Sequence, residues 1–248
     1  MNQFNRQAYQ TSSQSRADID VGLRDYMMSV YRYMGMGLAM TGAIAYVIFS
    51  LSVVEVNGQM MATSLGATLF NSPLKWVIML APLGVVFYLS ARINAMSAST
   101  AQMAFWVYAA LNGVSFATIF MVFTGMSIAK VFLITACMFG AMSVWGYTTK
   151  RDLTGMGSFL FMGLIGIVIA SIVNIFLASD AMSFVISIVG VLVFTGLTAY
   201  DTQSIKEEYY AGDSSELAAK KAIMGALRLY LDFINLFIMM LQLFGNRE

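Results

Sequence analysis

Histidine is absent from the sequence, which excludes catalysis by a histidine base and metal sites with histidine ligands. Cys137 is the single cysteine and lies inside an apolar run, so neither a disulfide framework nor a thiolate metal site can form within one chain. Charged residues make up only 11% of the chain, against roughly 25% in a typical soluble domain. The net charge of +1, with no basic cluster beyond Lys220 and Lys221, gives no indication of nucleic-acid binding.

Apolar residues are abundant instead. They make up 59% of the 248 residues, and the mean hydropathy is +0.74. A helix needs roughly 20 apolar residues to cross a bilayer core, and the sequence contains such runs repeatedly. A large soluble helical protein would need polar outer faces on these helices, and the runs show none. We therefore predict an all-α membrane protein in contact with a lipid bilayer.

The gaps between charged residues predict seven membrane spans and one transmembrane domain over residues 32–246. Residues 1–31 are polar, and we interpret them as a cytoplasmic N-terminal tail, since a cleavable signal would have an apolar core near residue 10. The predicted spans cover roughly residues 33–54, 74–91, 103–125, 131–147, 153–179, 181 to beyond 200, and 222–244.

Lysine and arginine predict the orientation. With the N-terminus inside, ten of these residues lie on inner segments, and three (Lys75, Lys130 and Arg247) lie on outer ones. This bias agrees with the tendency of cytoplasmic loops to carry the positive charge. The count does not decide whether the last span crosses the membrane or re-enters it.

Two acids fall in or near the predicted membrane, Asp201 in TGLTAYDTQSIK and Asp232 in LRLYLDFINLF. A charge at the centre of a membrane helix costs roughly 2.5–3.5 kcal/mol. If the turn between the last two spans is centred near residue 214, Asp232 lies about 7 Å deeper than Asp201, at 1.5 Å per residue. In GDSSE, Asp213 and Glu216 have the spacing of a capping box, and an off-centre turn with Asp213 as cap closes part of that gap.

A structural interpretation of both acids stays open. Asp201 can cap the cytoplasmic end of its span, and Asp232 can pair with Arg228, which lies four residues earlier on the same helical face. A structural pair needs one acid and one base, however, and this region contains two acids for one central arginine. This surplus of acid favours a functional role.

Two carboxyl groups in contact in a medium of low dielectric constant cannot both ionise cheaply, so the pair tends to hold one proton. Such a pair can sense pH, and its deprotonated form attracts a divalent cation. Calcium usually takes 6–8 oxygen ligands, so two carboxylates with nearby hydroxyl and carbonyl groups form a weak, transient site. Weak binding is what conduction requires.

Three segments, YDTQSIK, LYLDFINLF and GYTTKRDL, resemble the Bax inhibitor motif (TMBIM) family, and the similarity is strongest to its bacterial inner-membrane members. It covers nearly all of residues 20–246. The resemblance implies seven helices with the last one central and surrounded by the other six. It also implies a pH-sensitive calcium leak in the bacterial inner membrane, controlled by an aspartate pair that matches Asp201 and Asp232.

The resemblance further implies an arginine latch at the end of the second helix, for which Arg92 in YLSARINAM is the candidate. The sequence departs from the family pattern in two ways. The loop between the acids is longer, and Arg228 stands where the family usually has a neutral residue. An arginine four residues from Asp232 favours the ionised acid, so Arg228 either shifts the gating pH downward or replaces the latch.

We expect a transient calcium ion at Asp201 and Asp232, Asn235 as an auxiliary residue of the site, and no cofactor. An alternative function is a regulatory membrane protein that binds a partner such as a membrane-bound protease through the polar segment QAYQTSSQS. An intramembrane aspartyl protease also uses two helix-borne aspartates, but LDF does not match the GLGD motif of that class, and we predict that the chain is not an enzyme. No feature of the sequence indicates an oligomeric state.

Overall fold

A computed structural model describes the backbone of residues 3–56 and 59–247 and the side chains of residues 21–54 and 60–247. Within these residues seven helices are long and apolar enough to cross a membrane. This agrees with the predicted count. The seven long helices are α1 (Gln3–Ser52), α3 (Leu74–Arg92), α4 (Ala98–Phe116), α6 (Gly125–Thr148), α7 (Thr154–Leu177), α8 (Asp180–Glu207) and α9 (Ser215–Phe244).

Short elements connect the long helices at one end of the bundle. Strands β1 (Val53–Val56) and β2 (Gln59–Ala62) form an antiparallel hairpin after α1, with Val53 opposite Ala62. The short helix α2 (Ser64–Phe70) follows the hairpin, and the single-turn helix α5 (Ile119–Val122) extends the third span. The hairpin and α2 make the connection between the first two spans the longest at this end of the bundle.

Helix α9 is the centre of the bundle. It packs directly against α1, α4, α6 and α8, while α3 packs on α4 and α7 packs on α8. In its most apolar stretch 67% of the residues are buried, compared with 11% in α7. The predicted fold class, a seven-helix membrane protein with the last helix central, is confirmed.

The faces that α7 and α3 turn outward are apolar. Phe176 and Ile175 on α7 are 85% and 75% exposed, and Phe87 on α3 is 71% exposed. In water such surfaces would drive aggregation, whereas in a bilayer they contact lipid chains. The outer helices therefore form the lipid-facing surface around a buried α9.

Helix α1 begins well before the predicted first span. Residues 3–31 continue it without a break, and Tyr26, Met27 and Val30 are buried in the core. The side chains of residues 1–20 lie outside the described residues. The cytoplasmic location of residues 1–31 stays a prediction.

Helix α9 starts and ends in ways that the sequence did not reveal. Ser214, rather than Asp213, is the N-cap, and its hydroxyl accepts a hydrogen bond from Leu217 N at 3.3 Å. The predicted capping box is therefore wrong, because Asp213 forms an ion pair with Lys221 instead. At the other end, Arg247 forms a β-bridge with Phe123, just before α6 begins. Since α6 begins at the end of the bundle opposite to the start of α9, α9 crosses the whole bundle.

Candidate functional site

A cavity of about 590 Å³ lies between α7, α8 and α9, near the end of the bundle where α8 ends and α9 begins. Its walls are largely apolar. Four charged or amide side chains interrupt them, all on α8 and α9: Asp201, Arg228, Asp232 and Asn235.

The structure brings Asp201 and Asp232 together. Their carboxyl groups lie within hydrogen-bonding reach of each other on the wall of the cavity. Asp232 is 5% exposed, and its Oδ2 atom is buried and accepts no hydrogen bond from any described donor. A buried carboxyl oxygen normally has a hydrogen-bond partner, and the Asp201 carboxyl is a neighbouring group that can share a proton with it. The geometry therefore suits two carboxyl groups that share a proton.

Arg228 forms its ion pair with Glu208, not with either aspartate. Arg228 Nη1 lies 2.7 Å from Glu208 Oε1, and both side chains are about one-third exposed. Among the described residues the other ion pair is Lys221–Asp213. Arg228 thus lines the cavity beside the two acids. Its positive charge is partly balanced by Glu208. The structural alternative in which Arg228 neutralises Asp232 is not the pairing observed.

The register of α8 against α9 stays close to that of a symmetric hairpin. Lys221 Nζ donates a hydrogen bond to the carbonyl oxygen of Glu208 at 2.9 Å, and a Cβ atom on Gly225 would lie 3.0 Å from Ile205 Cγ2. Both contacts lie within two residues of the pairing expected for a turn centred near residue 214. Asp232 therefore lies deeper on α9 than the residue level with Asp201, as the sequence predicts, and the two side chains bridge this difference at the cavity.

Neighbours of Asp201 in the segment YDTQSIK fix α8 to the elements around it. Gln203 accepts a hydrogen bond from Leu153 N at 2.8 Å and donates one to Arg151 O at 2.8 Å, which ties the α6–α7 loop to α8. Lys206 Nζ donates to Tyr147 O at 2.8 Å. These bonds hold the helix on either side of Asp201.

Two further contacts position α8 near Asp201. Thr202 shares a hydrogen bond with Ser143 of α6 at 3.0 Å, and Ser143 shares another with Tyr31 of α1 at 2.6 Å. On the opposite side, the ring of Tyr200 lies against Gly157 of α7, where a Cβ atom would overlap the ring. Because both faces are occupied, Asp201 is held toward α9 and the cavity.

Of the remaining predicted residues, Asn235 joins the site and Arg92 does not. Asn235 lines the cavity and donates from Nδ2 to Leu231 O at 2.8 Å. Arg92 is exposed at the end of α3, which packs on α4, and it is not part of the cavity wall. The structure does not bring Arg92 to the pair, and its role as a latch stays a prediction.

The set of oxygen ligands at the pair is small. Among the residues whose side chains are described, no group of three or more His, Cys, Asp or Glu side chains comes together as a metal site. The two carboxyl groups and the amide oxygen of Asn235 supply fewer oxygens than calcium usually takes. Such a donor set fits an ion that passes with part of its water shell better than one that is stored.

Sequence reasoning missed Glu208 and Gln203 as residues that shape the site. Glu208 follows Asp201 by seven residues, which is two helical turns, so the spacing places both on one face. Gln203 is part of the YDTQ segment, but its partners, the backbone groups of Arg151 and Leu153, are fifty residues away in sequence. Only the fold reveals that pairing.

Comparisons with a family model and with known proteins point to the same family. Residues 23–248 match the family model described as Bax1-I, inhibitor of apoptosis-promoting Bax1. The chain is 46% identical to a protein of Rickettsia prowazekii over 238 residues, which are 96% of each chain. It is 48% identical to the inner membrane protein YbhL of Escherichia coli, over 92% of this chain and 94% of that one. A membrane protein of Streptococcus pyogenes is 35% identical over 92% of this chain and 96% of its own.

Proposed function

The chain is a membrane protein of the Bax inhibitor family, and on that premise we propose that it is a pH-sensitive calcium leak of the bacterial inner membrane, gated by Asp201 and Asp232. The supporting observation is the contact between the two carboxyl groups on the wall of an internal cavity. Neither acid belongs to an ion pair among the side chains that the structure describes. Acids in a membrane interior are costly, and they commonly mark ion or proton pathways.

The proposed gate works through the shared proton. While one carboxyl group is protonated, the hydrogen bond between the two holds α8 against α9 at the cavity. When the proton leaves, two adjacent anions repel each other and together attract a divalent cation. Calcium meets a small set of protein oxygens there, in which the two carboxylates carry the only negative charge among the cavity-lining residues, so it binds weakly enough to leave again.

The test is calcium flux into proteoliposomes over a pH series, for the unaltered chain and for Asp201→Asn and Asp232→Asn. Asparagine resembles a protonated aspartate in shape and lacks the titration. Each variant should therefore keep one level of flux at every pH, close to that of the unaltered chain in acid. Asp213→Asn is the matched control, because Asp213 lies on the same side of the bundle, outside the cavity, and pairs with Lys221.

The proposal fails if the unaltered chain carries no calcium at any pH, or if both cavity variants keep its full pH response. The alternative, a non-conducting regulator of a membrane-bound protease or similar partner, predicts the first of these results. Deletion of residues 1–22 then separates the two functions, since a regulator loses its partner and a leak still conducts. The segment QAYQTSSQS lies among the residues whose side chains are not described.

A further inference from the structure

A second cavity, of about 210 Å³, opens between the same three helices at the opposite end of the bundle. It lies near the end of α7, the start of α8 and the end of α9, whereas the aspartate cavity lies near the start of α7. Its lining is more polar than the lipid-facing surface around it. The residues on its wall are Ser171, Asn174, Ile175, Ser183, Ile186, Met239 and Gln242.

Hydrogen bonds keep the polar groups of this second cavity oriented across the helices. Asn174 Nδ2 donates to Ser183 Oγ at 2.8 Å, which joins α7 to α8. Ser187 Oγ donates to Gln242 Oε1 at 2.6 Å, which joins α8 to α9. Polar side chains inside a membrane bundle commonly face a water-filled space or a pathway. Lipid chains do not suit a cavity with these hydroxyl and amide groups.

The closed region between the two cavities is short. On α9, Asn235 belongs to the first cavity and Met239 to the second, and four residues of helix span about 6 Å. On α7, Leu164 and Ser171 are seven residues apart, which is about 10 Å. The barrier is therefore at most two helical turns long.

Two glycines allow close helix contacts at the edges of this region. A Cβ atom on Gly190 would lie 2.8 Å from Met239 Cγ, so Met239 of α9 covers α8 at that point. A Cβ atom on Gly163 would lie 3.1 Å from Val193 Cγ2, so α7 and α8 are also tightly packed. Methionine has three rotatable bonds, and its side chain can move without a shift of the backbone. Met239 is therefore the most adaptable part of the barrier.

We propose that the ion path follows the α7–α8–α9 seam, from the aspartate cavity to the cavity at Asn174, Ser183 and Gln242, and that Met239 forms its apolar constriction. This inference rests on the proposed leak function and names its route. An apolar constriction stops ions by excluding water, and the oxygens of Asn174, Ser183 and Gln242 receive the ion beyond it.

The flux experiment uses Met239→Ala, with Met138→Ala as the matched control. Met138 lies on α6 and contacts Thr195 on another side of α8, away from the seam. Removing the Met239 side chain should raise calcium flux at least threefold at a pH where the unaltered chain conducts, and Met138→Ala should not.

The outcomes separate this inference from the proposed function. Suppose that the unaltered chain conducts calcium and that the aspartate variants alter the flux. If Met239→Ala then behaves like Met138→Ala, the leak function stands and the proposed route is overturned. If the unaltered chain carries no calcium, the proposed function has failed, and the route must then be judged by an arm that does not measure flux.

That arm is labelling of single cysteines in a Cys137→Ser background with a membrane-impermeant maleimide. Ser183→Cys faces the second cavity and should react from the side of the membrane opposite to the α8–α9 loop. Phe184→Cys is the control, because Phe184 is 58% exposed on the outer surface and meets lipid. Equal protection of both cysteines would show that water does not enter the second cavity, and the route would be overturned.

Discussion

Among the described side chains, neither acid of the site forms an ion pair with a base. Asp232 is almost completely buried on α9, and Asp201 faces it from α8. Arg228 is nearby, but its guanidinium group is bonded to Glu208. The Arg228 guanidinium group can interact with Glu208 and with the two acids of the cavity. The ionisation of Asp201 and Asp232 therefore depends on how close Arg228 stays to Glu208.

This arrangement predicts opposite effects for two substitutions. Arg228→Gln removes the positive charge that favours ionised carboxyl groups, so the midpoint of the pH dependence of calcium flux should rise. Glu208→Gln removes a negative charge and releases Arg228 toward the acids, so the midpoint should fall. We expect each shift to be about half a pH unit, because one unit corresponds to 1.36 kcal/mol and partial exposure to solvent weakens the interaction of both side chains with the acids. The measurement is proteoliposome flux at a series of pH values.

Lys150→Gln provides the control, because it removes a positive charge from an exposed position at the same end of the bundle, outside the cavity. Shifts of the same sign for Arg228→Gln and Glu208→Gln would contradict an electrostatic role. They would indicate that the ion pair acts as a structural link between α9 and the end of α8.

The sequence was sufficient to identify the acids but not their partners. Asp201 and Asp232 stand out because they interrupt apolar runs, and Asn235 follows Asp232 on nearly the same helical face. The salt-bridge partner of Arg228 could not be assigned, since helical spacing pointed to Asp232, whereas the partner observed is Glu208 at the end of the neighbouring helix. Interactions within one helix can be counted along the sequence, whereas those between helices depend on how far one slides past the other.

At the scale of the helices, the position of α8 depends on residues without side chains. Gly146 of α6 faces the backbone of Ala199 on α8, and a Cβ atom at Gly146 would overlap the carbonyl oxygen of Ala199. Close approach of this kind is how membrane helices gain packing energy where lipid provides no hydrophobic driving force. It occurs two residues before Asp201, so the fit of α6 against α8 also fixes the site.

Two alanine substitutions on α6 should therefore have opposite effects on stability. Gly146→Ala forces the two backbones apart and should lower the free energy of unfolding by about 1–3 kcal/mol, the usual cost of overpacking. Gly140→Ala lies on the same helix with no atom within 4 Å of the added Cβ. It should be neutral or stabilising by up to about 1 kcal/mol, because alanine favours the helix. Thermal unfolding in detergent measures both, and equal stability of the two variants would refute the close contact.

The ends of the helices were harder to predict than the helices themselves. Apolar length identified the spans, but α1 continues back through the polar residues that were assigned to a tail, and α9 begins after Ser214 rather than after Asp213. Polar residues in these segments are compatible with either a loop or an exposed helix. Tertiary contacts decide between them, as when Tyr26 packs against Tyr209 with ring centroids 5.6 Å apart.

At the scale of the whole molecule, the helices differ in how much of their surface is buried by protein. Hydropathy predicted seven spans but gave no order of depth, since α7 is the most hydropathic and yet among the least buried. The central helix α9 is less apolar because it carries Arg228, Asp232 and Asn235. A helix that is surrounded by protein tolerates polar groups that a lipid-facing helix cannot, and this explains why the site lies on α9.

The C-terminal segment packs against the start of α6. Asn246 N donates to Ser127 Oγ at 2.8 Å, and Thr124 N donates to Asn246 O at 3.1 Å, so the C-terminal residues are fixed where α6 begins. That end is opposite to the α8–α9 loop. With the N-terminus in the cytoplasm, as the ten-to-three distribution of Lys and Arg predicts, the C-terminus must lie on the outer side.

A short epitope tag after residue 248 should therefore be accessible to antibody from the periplasmic face in spheroplasts, whereas the same tag inserted after Gly212 in the α8–α9 loop should require permeabilisation. A tag at each position also reports orientation independently of flux. If both tags were protected, α9 would re-enter the membrane. That result would contradict the pairing of Arg247 with Phe123, and with it the full crossing that carries α9 from the aspartate cavity to the second one.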